Sequence, residues 1–576
     1  MKWLKAGLIA RIILFSVTAF LILYPLAMML IGTFRSEMLG IAGTWGFQGW
    51  VDAYSHPKFL KALWITVVFS FFKTLAAVVL AVAFAWFIHR TNMPGRKTLD
   101  VALHFSFFIL PPLPIILGWV TLLSPRAGLI NKWFMSTFHV DYPLFDIYSL
   151  TGMVWVSASF SIPLYYMFLS PAFKSMDITL EEAAKVNGAT NLTMMWKIIL
   201  PLLAPAIMSV TVFSFIIGME SFEVPVFLGA TKGIDVLSTL IYSFIHAQAN
   251  PNYMAGLATG VTLIAVTLIL VMLQWKILGN RQFVTVTGKG FRPRRMDLGA
   301  WRWPTAIVLC GIFLVLKVPA ALMVLMSSFM KVPGVFTGIQ GGPWTLRNFV
   351  DAFDHPQIAT AFKNTLILGG AAPLISLIVC TFIAYVVVKT RFRERKVLDF
   401  IAWLPWAVPG IVMSLAMLWA WIFIKPFGYS LYGSLTLVVL IMVTVSFPLA
   451  TRILSTAFAQ IHSELEESAR MSGASWFQSL IRIWLPLLRN ALINVWVIQF
   501  STTVRVLAPV ILVTGASTTV LATAFYDFWK ISNLGVASVI GLTQGLLIAC
   551  AYLVVNGINR LAGGKVLEEK IETGWH

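Results

Sequence analysis

The sequence predicts an all-α polytopic membrane protein with about twelve transmembrane helices in two parallel six-helix repeats, and three observations carry that prediction. The 576 residues are 59% hydrophobic and only 11% charged, with a mean hydropathy of +0.85, far outside the range of soluble domains. Apolar runs long enough to cross the hydrocarbon recur along the chain, as from Val67 to Phe87 and from Leu257 to Leu273. A spanning barrel would show short alternating segments instead. Finally, the chain repeats itself: "VDAYSHP" at Val51 returns as "VDAFDHP" at Val350 (350 − 51 = 299), and "SIPLYYMFLSPAF" at Ser161 returns as "SFPLATRILSTAF" at Ser446 (446 − 161 = 285).

In chain order, the apolar runs place spans near residues 8–32, 61–88, 99–123, 149–170, 203–229 and 253–278, then 304–330, 361–388, 398–424, 433–454, 488–513 and 536–558. The first run starts with basic residues like a signal peptide, but it continues to Ile31 without a clear small-residue cleavage site, so it is expected to be a retained span. Lys and Arg gather in alternate connections: Lys2–Arg11, Arg90–Lys97, Lys174–Lys197, Arg281–Arg302, Lys389–Lys396, Arg452–Arg489 and Arg560–Lys570. The positive-inside rule makes these connections cytoplasmic, and an even number of spans puts both termini there too. The Trp-rich connections Gly43–Lys58 and Gly334–Arg347 belong outside. This distribution accounts for the formal net charge of +19 and excludes nucleic acid as the partner.

Residues 1–278 are expected to form one domain and 304–576 the other, joined by a basic, Gly- and Pro-containing cytoplasmic linker at 279–303. Six spans before the join give both halves the same orientation. The fall in repeat offset assigns the extra residues of the first half to "SPRAGLINKWFMSTFHVDYPLFD", a longer external loop. Cys310, Cys380 and Cys550 lie in apolar runs without metal-ligand spacing and are expected to be buried thiols.

One stretch does not fit an apolar chain. "EEAAKVNGATNLTMMWKIILPLL" from Glu181 is polar in its first half, and "EESARMSGASWFQSLIRIWLPLL" repeats it from Glu466. Thr179 with Glu182, and Ser463 with Glu466, have capping-box spacing, so a short helix starts just before each acidic pair. Gly188 and Gly473 then permit a sharp turn, and a second amphipathic piece runs to Pro201 or Pro486, where the apolar span is expected to begin. The small residues let another surface approach closely. The chain offers no nucleophile, metal cluster or paired-acid constellation of a catalytic site, which argues against a membrane enzyme.

These stretches resemble the EAA loop of the permease subunits of binding-protein-dependent ABC importers. The first copy, about residues 174–201, fits at Glu182, Ala183, Ala184, Gly188, Ile198, Leu200 and Pro201. The second, about 459–486, fits at Glu467, Ala469, Gly473, Ile483, Leu485 and Pro486, with Ser468 in place of the first Ala. The resemblance covers the chain as two fused permease domains and implies the type I importer permease fold in a bacterial inner membrane. It also implies that each loop couples to one of two ATP-binding cassette subunits, and that a periplasmic solute-binding protein delivers the cargo. The chain itself has no G-x-x-x-x-G-K-[ST] pattern. ATP and Mg are therefore expected in the partner ATPase, with no cofactor on this chain. An ion-driven secondary transporter would also use twelve spans in parallel repeats, but the EAA loops discriminate against it.

Ionisable groups at membrane depth usually face a cavity or a partner. Glu220 and Glu223 lie in the fifth span, and at the 285 offset Glu220 falls on Arg505. Three roles stay open: a neutralising or gating pair between Arg505 and a glutamate, oxygen ligands for a passing hard cation, or residues at the external mouth. Lys73 is expected to snorkel or pack between helices, and His104 and Lys317 carry no assignment. Fused permeases of this length resemble the ferric iron group most, with thiamine and phosphonate importers related. That group commonly has an Arg-Glu pair in the fifth span; "TTVRVLAPVILV" keeps the Arg and has Val506 where the Glu would stand.

Overall fold

A chain crossing hydrocarbon must satisfy its backbone polar groups within each segment, so long apolar runs become long helices. The computed structural model describes residues 2–35, 43–109, 111–174, 186–188, 190–246, 250–278, 296–333, 344–390, 393–422 and 428–561. Among these, ten helices are long and apolar enough to cross a membrane. The fold is all-α; the described residues contain isolated bridges but no named strand.

The third and ninth expected spans are not straight helices. Arg96–Phe107 meets Pro112–Leu123 at 103°, and Arg395–Ala407 meets Gly410–Trp421 at 109°. Proline is the reason. Pro111 and Pro409 sit extended at the N-caps of the second helices, ψ 150° and 141°, and a residue that lacks an N–H and disfavours α geometry before it ends the preceding helix. Twelve spans result only if each bent pair counts as one.

The duplication is visible in individual bonds. The Thr66 hydroxyl accepts from Leu237 N–H at 2.9 Å, and Thr365 accepts from Leu521 N–H at 2.8 Å. His56 lies edge-on to Phe244 at 5.1 Å, as His355 does to Phe528 at 5.2 Å. Each half also lends its first span to the other. Lys2–Gly32 packs on Gly410–Trp421, and Arg302–Ser328 packs on Pro112–Leu123. The second contact is so close that a Cβ on Gly118 would stand 2.1 Å from the Ala320 carbonyl oxygen.

The extra residues of the first half form the helix Leu129–Phe138 and a return strap. Asn131, fully buried, holds both: its amide donates to Leu123, Ser124 and Phe145 carbonyls at 3.1, 3.0 and 2.8 Å and accepts from Phe145 N–H at 2.9 Å. Most of the expected linker lies outside the described residues, but its end is stitched to the cytoplasmic turn of the first half, Met296 N–H donating to Arg90 and Asn92 N–H to Met296. The cysteines are not uniformly buried: Cys380 is, Cys310 is half-buried and Cys550 is exposed. Cys550 lies on the last span, Leu534–Leu561.

Candidate functional site

The coupling stretch folds as the spacing requires in the half that can be followed throughout. Ser463–Met471 is helical, with Glu467 exposed and Ala469 8% exposed. Gly473 ends it with φ +78°, and Ala474 N–H reaches back to the Ala469 carbonyl at 3.0 Å. This is the glycine-capped helix end in which a left-handed residue lets later N–H groups satisfy the last carbonyls. Gly188 has the same φ of +78°. Glu182, Ala183 and Ala184 lie outside the described residues.

Beyond the turn, one expectation changes. Pro201 and Pro486 do not separate an amphipathic piece from the span. Each stands in the first turn of a helix continued without a break from a five-residue π turn, Met195–Ile199 or Leu480–Trp484. The π turn absorbs the lost N–H and the ring clash of the proline. In the second half Trp484, 2% exposed, anchors it against Tyr385 at 4.4 Å. The loop and the span are thus one lever: Leu485–Arg505 is 21 residues, about 30 Å at 1.5 Å per residue.

At the far end of that lever stand the ionisable residues. The fifth spans stop earlier than expected, Leu200–Met219 with Glu220 as C-cap and Leu485–Arg505 with Val506 as C-cap. Both residues therefore sit at helix ends, where the chain turns. The Glu223 carboxylate accepts from Ala508 N–H at 3.4 Å across a separation of 285 positions, the repeat offset itself. Two equivalent positions meeting in this way mark the pseudo-twofold axis.

The partners differ between halves. Arg505 donates to the Phe107 carbonyl at 3.0 Å and lies 4.4 Å over the Phe107 ring, at the break in the bent pair. The charges acting on and from Arg505 involve Glu223 and Lys317. The charge that acts on Glu220 is instead that of Lys73, and among the described residues no ion pair within 4.0 Å joins Glu220 to either Lys73 or Arg505. Its Oε1 is shielded and has no hydrogen-bond partner. Lys73 does not snorkel; it is 2% exposed and its ammonium reaches the Tyr165 hydroxyl at 3.3 Å. Lys317, unassigned from sequence and 4% exposed, joins the Arg505 group. Position within an apolar run was its available signal. His104, also unassigned, contacts the Asp100 carboxylate at 3.2 Å.

A glycine-capped turn before a long helix and ionisable residues at its far end, made twice around a pseudo-twofold, are the features that accord with a transport permease. Residues 47–283 and 381–566 match the family described as binding-protein-dependent transport system inner membrane component, and the chain belongs to that family of ABC importer permeases. It is a multi-pass protein of the inner membrane. A protein of Haemophilus influenzae named for a ferric transport system permease is 27% identical over 525 residues, 90% of this chain and 79% of its own length. The ferric transport system permease of Actinobacillus pleuropneumoniae is 28% identical over 461 residues, 79% of this chain and 65% of its own. A protein of Salmonella choleraesuis named for a 2-aminoethylphosphonate transport system permease is 28% identical over 228 residues, 39% of this chain and 77% of its own.

Proposed function

We propose that this permease imports ferric iron, delivered by an extracytoplasmic binding protein, on a dimer of ATP-binding cassette subunits seated on the turns at Gly188 and Gly473. The observation that carries the iron assignment is coverage: the ferric permeases run along 90% and 79% of this chain, through both halves, whereas the phosphonate permease matches 39%. The continuous lever supports the coupling role. Movement of the second loop is transmitted through the π turn to the helix end at Arg505, so closing of the ATPase dimer displaces the charged axis without a hinge in between. The two termini and both turns then lie in the cytoplasm.

A second cargo has one structural argument. Lys73, Lys317 and Arg505 outnumber Glu220 and Glu223 in the bundle, and an excess of buried cations suits an oxyanion such as a phosphonate. The deciding experiment reconstitutes the permease with its ATPase and binding protein in vesicles and follows radiolabelled ferric iron and 2-aminoethylphosphonate. ATP-dependent uptake of iron alone supports the proposal. Uptake of the phosphonate alone replaces it, and uptake of either without ATPase subunits overturns the importer mechanism.

A further inference from the structure

The helix that leads into the first EAA loop is tied by side chains to the bent pair of its half. Leu150–Lys174 ends where that loop begins, and Tyr166 and Ser170 stand one turn apart on one face of it. Tyr166, fully buried, donates its hydroxyl to the Asp100 carboxylate at 2.5 Å. Asp100 belongs to Arg96–Phe107, the first helix of the bent pair. His89 Nε2, at the end of Phe59–Arg90, lies 3.1 Å from the same Tyr166 hydroxyl and 2.7 Å from that of Ser170. His104 Nδ1, one turn after Asp100, stands 3.2 Å from its carboxylate. The charge of Lys174, the last residue before the loop, acts on Asp100 as well. Three helices are thus joined around one tyrosine hydroxyl.

The second half keeps the aspartate and changes its partner. "RKTLD" at Arg96 returns as "RKVLD" at Arg395 (395 − 96 = 299), so Asp399 is the counterpart of Asp100. Thr451, the counterpart of Tyr166 (451 − 166 = 285), donates to its own helix, to the Phe447 carbonyl at 2.7 Å and the Pro448 carbonyl at 3.1 Å. Asp399 meets Arg452 instead, at 3.7 Å, with the two side chains 30% and 53% exposed. An exposed ion pair at that distance holds little, whereas a buried hydroxyl on a carboxylate makes a short, charge-assisted bond. The first half is clamped where the second is only tethered.

The clamp leads to the axis. From Asp100 the helix runs seven residues without glycine or proline, about 10 Å at 1.5 Å per residue, to Phe107. The Phe107 carbonyl accepts from Arg505 at 3.0 Å, and the guanidinium lies 4.4 Å over the Phe107 ring. A continuous helix is a rigid element, so a displacement at Asp100 arrives at Phe107. The break in the second half is held differently: Thr267, on the last span of the first half, donates to the Ala407 carbonyl at 2.9 Å.

We propose that Tyr166 and Asp100 are positioning residues that carry movement of the first EAA loop across to Arg505 in the other half, a proposal that rests on ATPase subunits driving the two loops. Arg505 then receives both loops. The second acts through Leu485–Arg505 itself, and the first through Tyr166, Asp100 and Phe107. The guanidinium completes its displacement only when both loops move together, which ties the axis to closure of the whole ATPase dimer rather than to one subunit.

The test uses the permease reconstituted with its ATPase and binding protein, and reads ATP hydrolysis with and without the binding protein beside uptake of radiolabelled ferric iron per ATP hydrolysed. Tyr166→Phe and Asp100→Asn are each expected to keep hydrolysis running and to lower uptake per ATP about tenfold. The double variant should be no worse than either single one, because both cut the same bond. Asp100→Glu, which keeps a charged acceptor, should recover part of the ratio. Asp399→Asn should change it less than about twofold. Uptake per ATP unchanged in both single variants overturns the proposal. So does loss of hydrolysis and uptake in equal proportion, the result of a merely structural role. If Tyr166→Phe fails to assemble, Asp100→Asn, half-buried and of equal shape, decides alone. Failure of the underlying reading looks different: wild-type hydrolysis that the binding protein does not stimulate removes the ATPase drive, and the proposal with it. Wild-type uptake of 2-aminoethylphosphonate in place of iron replaces only the cargo, and the same ratio is then read with that solute.

Discussion

The fifth span of each half begins alike and ends differently. At the coupling end, Gly188 and Gly473 share φ +78°, and the π turns fall at equivalent positions. At the axis end, the charge of Lys73 acts on Glu220, while its counterpart Arg505 donates to the Phe107 carbonyl and feels the charges of Glu223 and Lys317. The difference separates two demands. On the proposed function, a dimer of ATPase subunits would present the same surface twice, and the two turns that receive it stay alike. A single pathway on the axis sees both halves at once, so its lining is free to become asymmetric, with opposite charges on equivalent positions.

The largest expected effect comes from the asymmetric end. Glu220→Lys places a second cation beside buried Lys73, and leaving a buried charge unpaired costs about 3–5 kcal/mol. Uptake should be abolished. Adding Lys73→Glu should restore more function than adding Arg505→Glu; better rescue by Arg505→Glu would show that the charges pair across the repeat rather than within the first half. Vesicle uptake and thermal stability of the three variants decide this.

Next come the symmetric sockets. Gly473→Val puts a β-branched residue at positive φ, which costs roughly 1–2 kcal/mol, in open space where no neighbour obstructs it. Insertion should be normal, while ATPase stimulation and uptake fall about tenfold, as 1.4 kcal/mol of coupling corresponds to that factor. Gly188→Val should do the same. A marked inequality between the two would break the symmetry of the engine.

Smaller effects test the scaffold. Thr66→Val and Thr365→Val each strand the N–H of a short external helix and should cost about 1–3 kcal/mol apiece, read as equal losses of thermal stability. Asn131→Ala has no counterpart, because the strap it holds exists only in the first half. It should loosen that loop to proteolysis between residues 124 and 148 and leave uptake within about twofold, since no residue of the axis depends on it.

Much of this was legible in the chain because it is local. Glycine at the turn, acidic residues at a helix start and a repeated offset are properties of short windows, and the coupling turn at Gly473 follows from them. The bent pairs were equally local, since Pro111 and Pro409 stand in plain view, but hydropathy averages over about twenty residues and passes across a break. Lys73 was legible in part. A lone lysine in an apolar run either snorkels or packs between helices, and the Tyr165 hydroxyl on a neighbouring helix decides for packing.

The sequence by itself determined that this protein spans a membrane, that it is a duplicated importer permease, and where the glycine turns at Gly188 and Gly473 lie. Tertiary structure alone decided which charge acts on which, and that Tyr242 and Tyr526 meet edge to face. Composition and motif act along the chain, where each residue's neighbours are known in advance. Contacts between residues 284 or 285 positions apart depend on how two half-bundles pack about an axis, and no short stretch of either half encodes that packing.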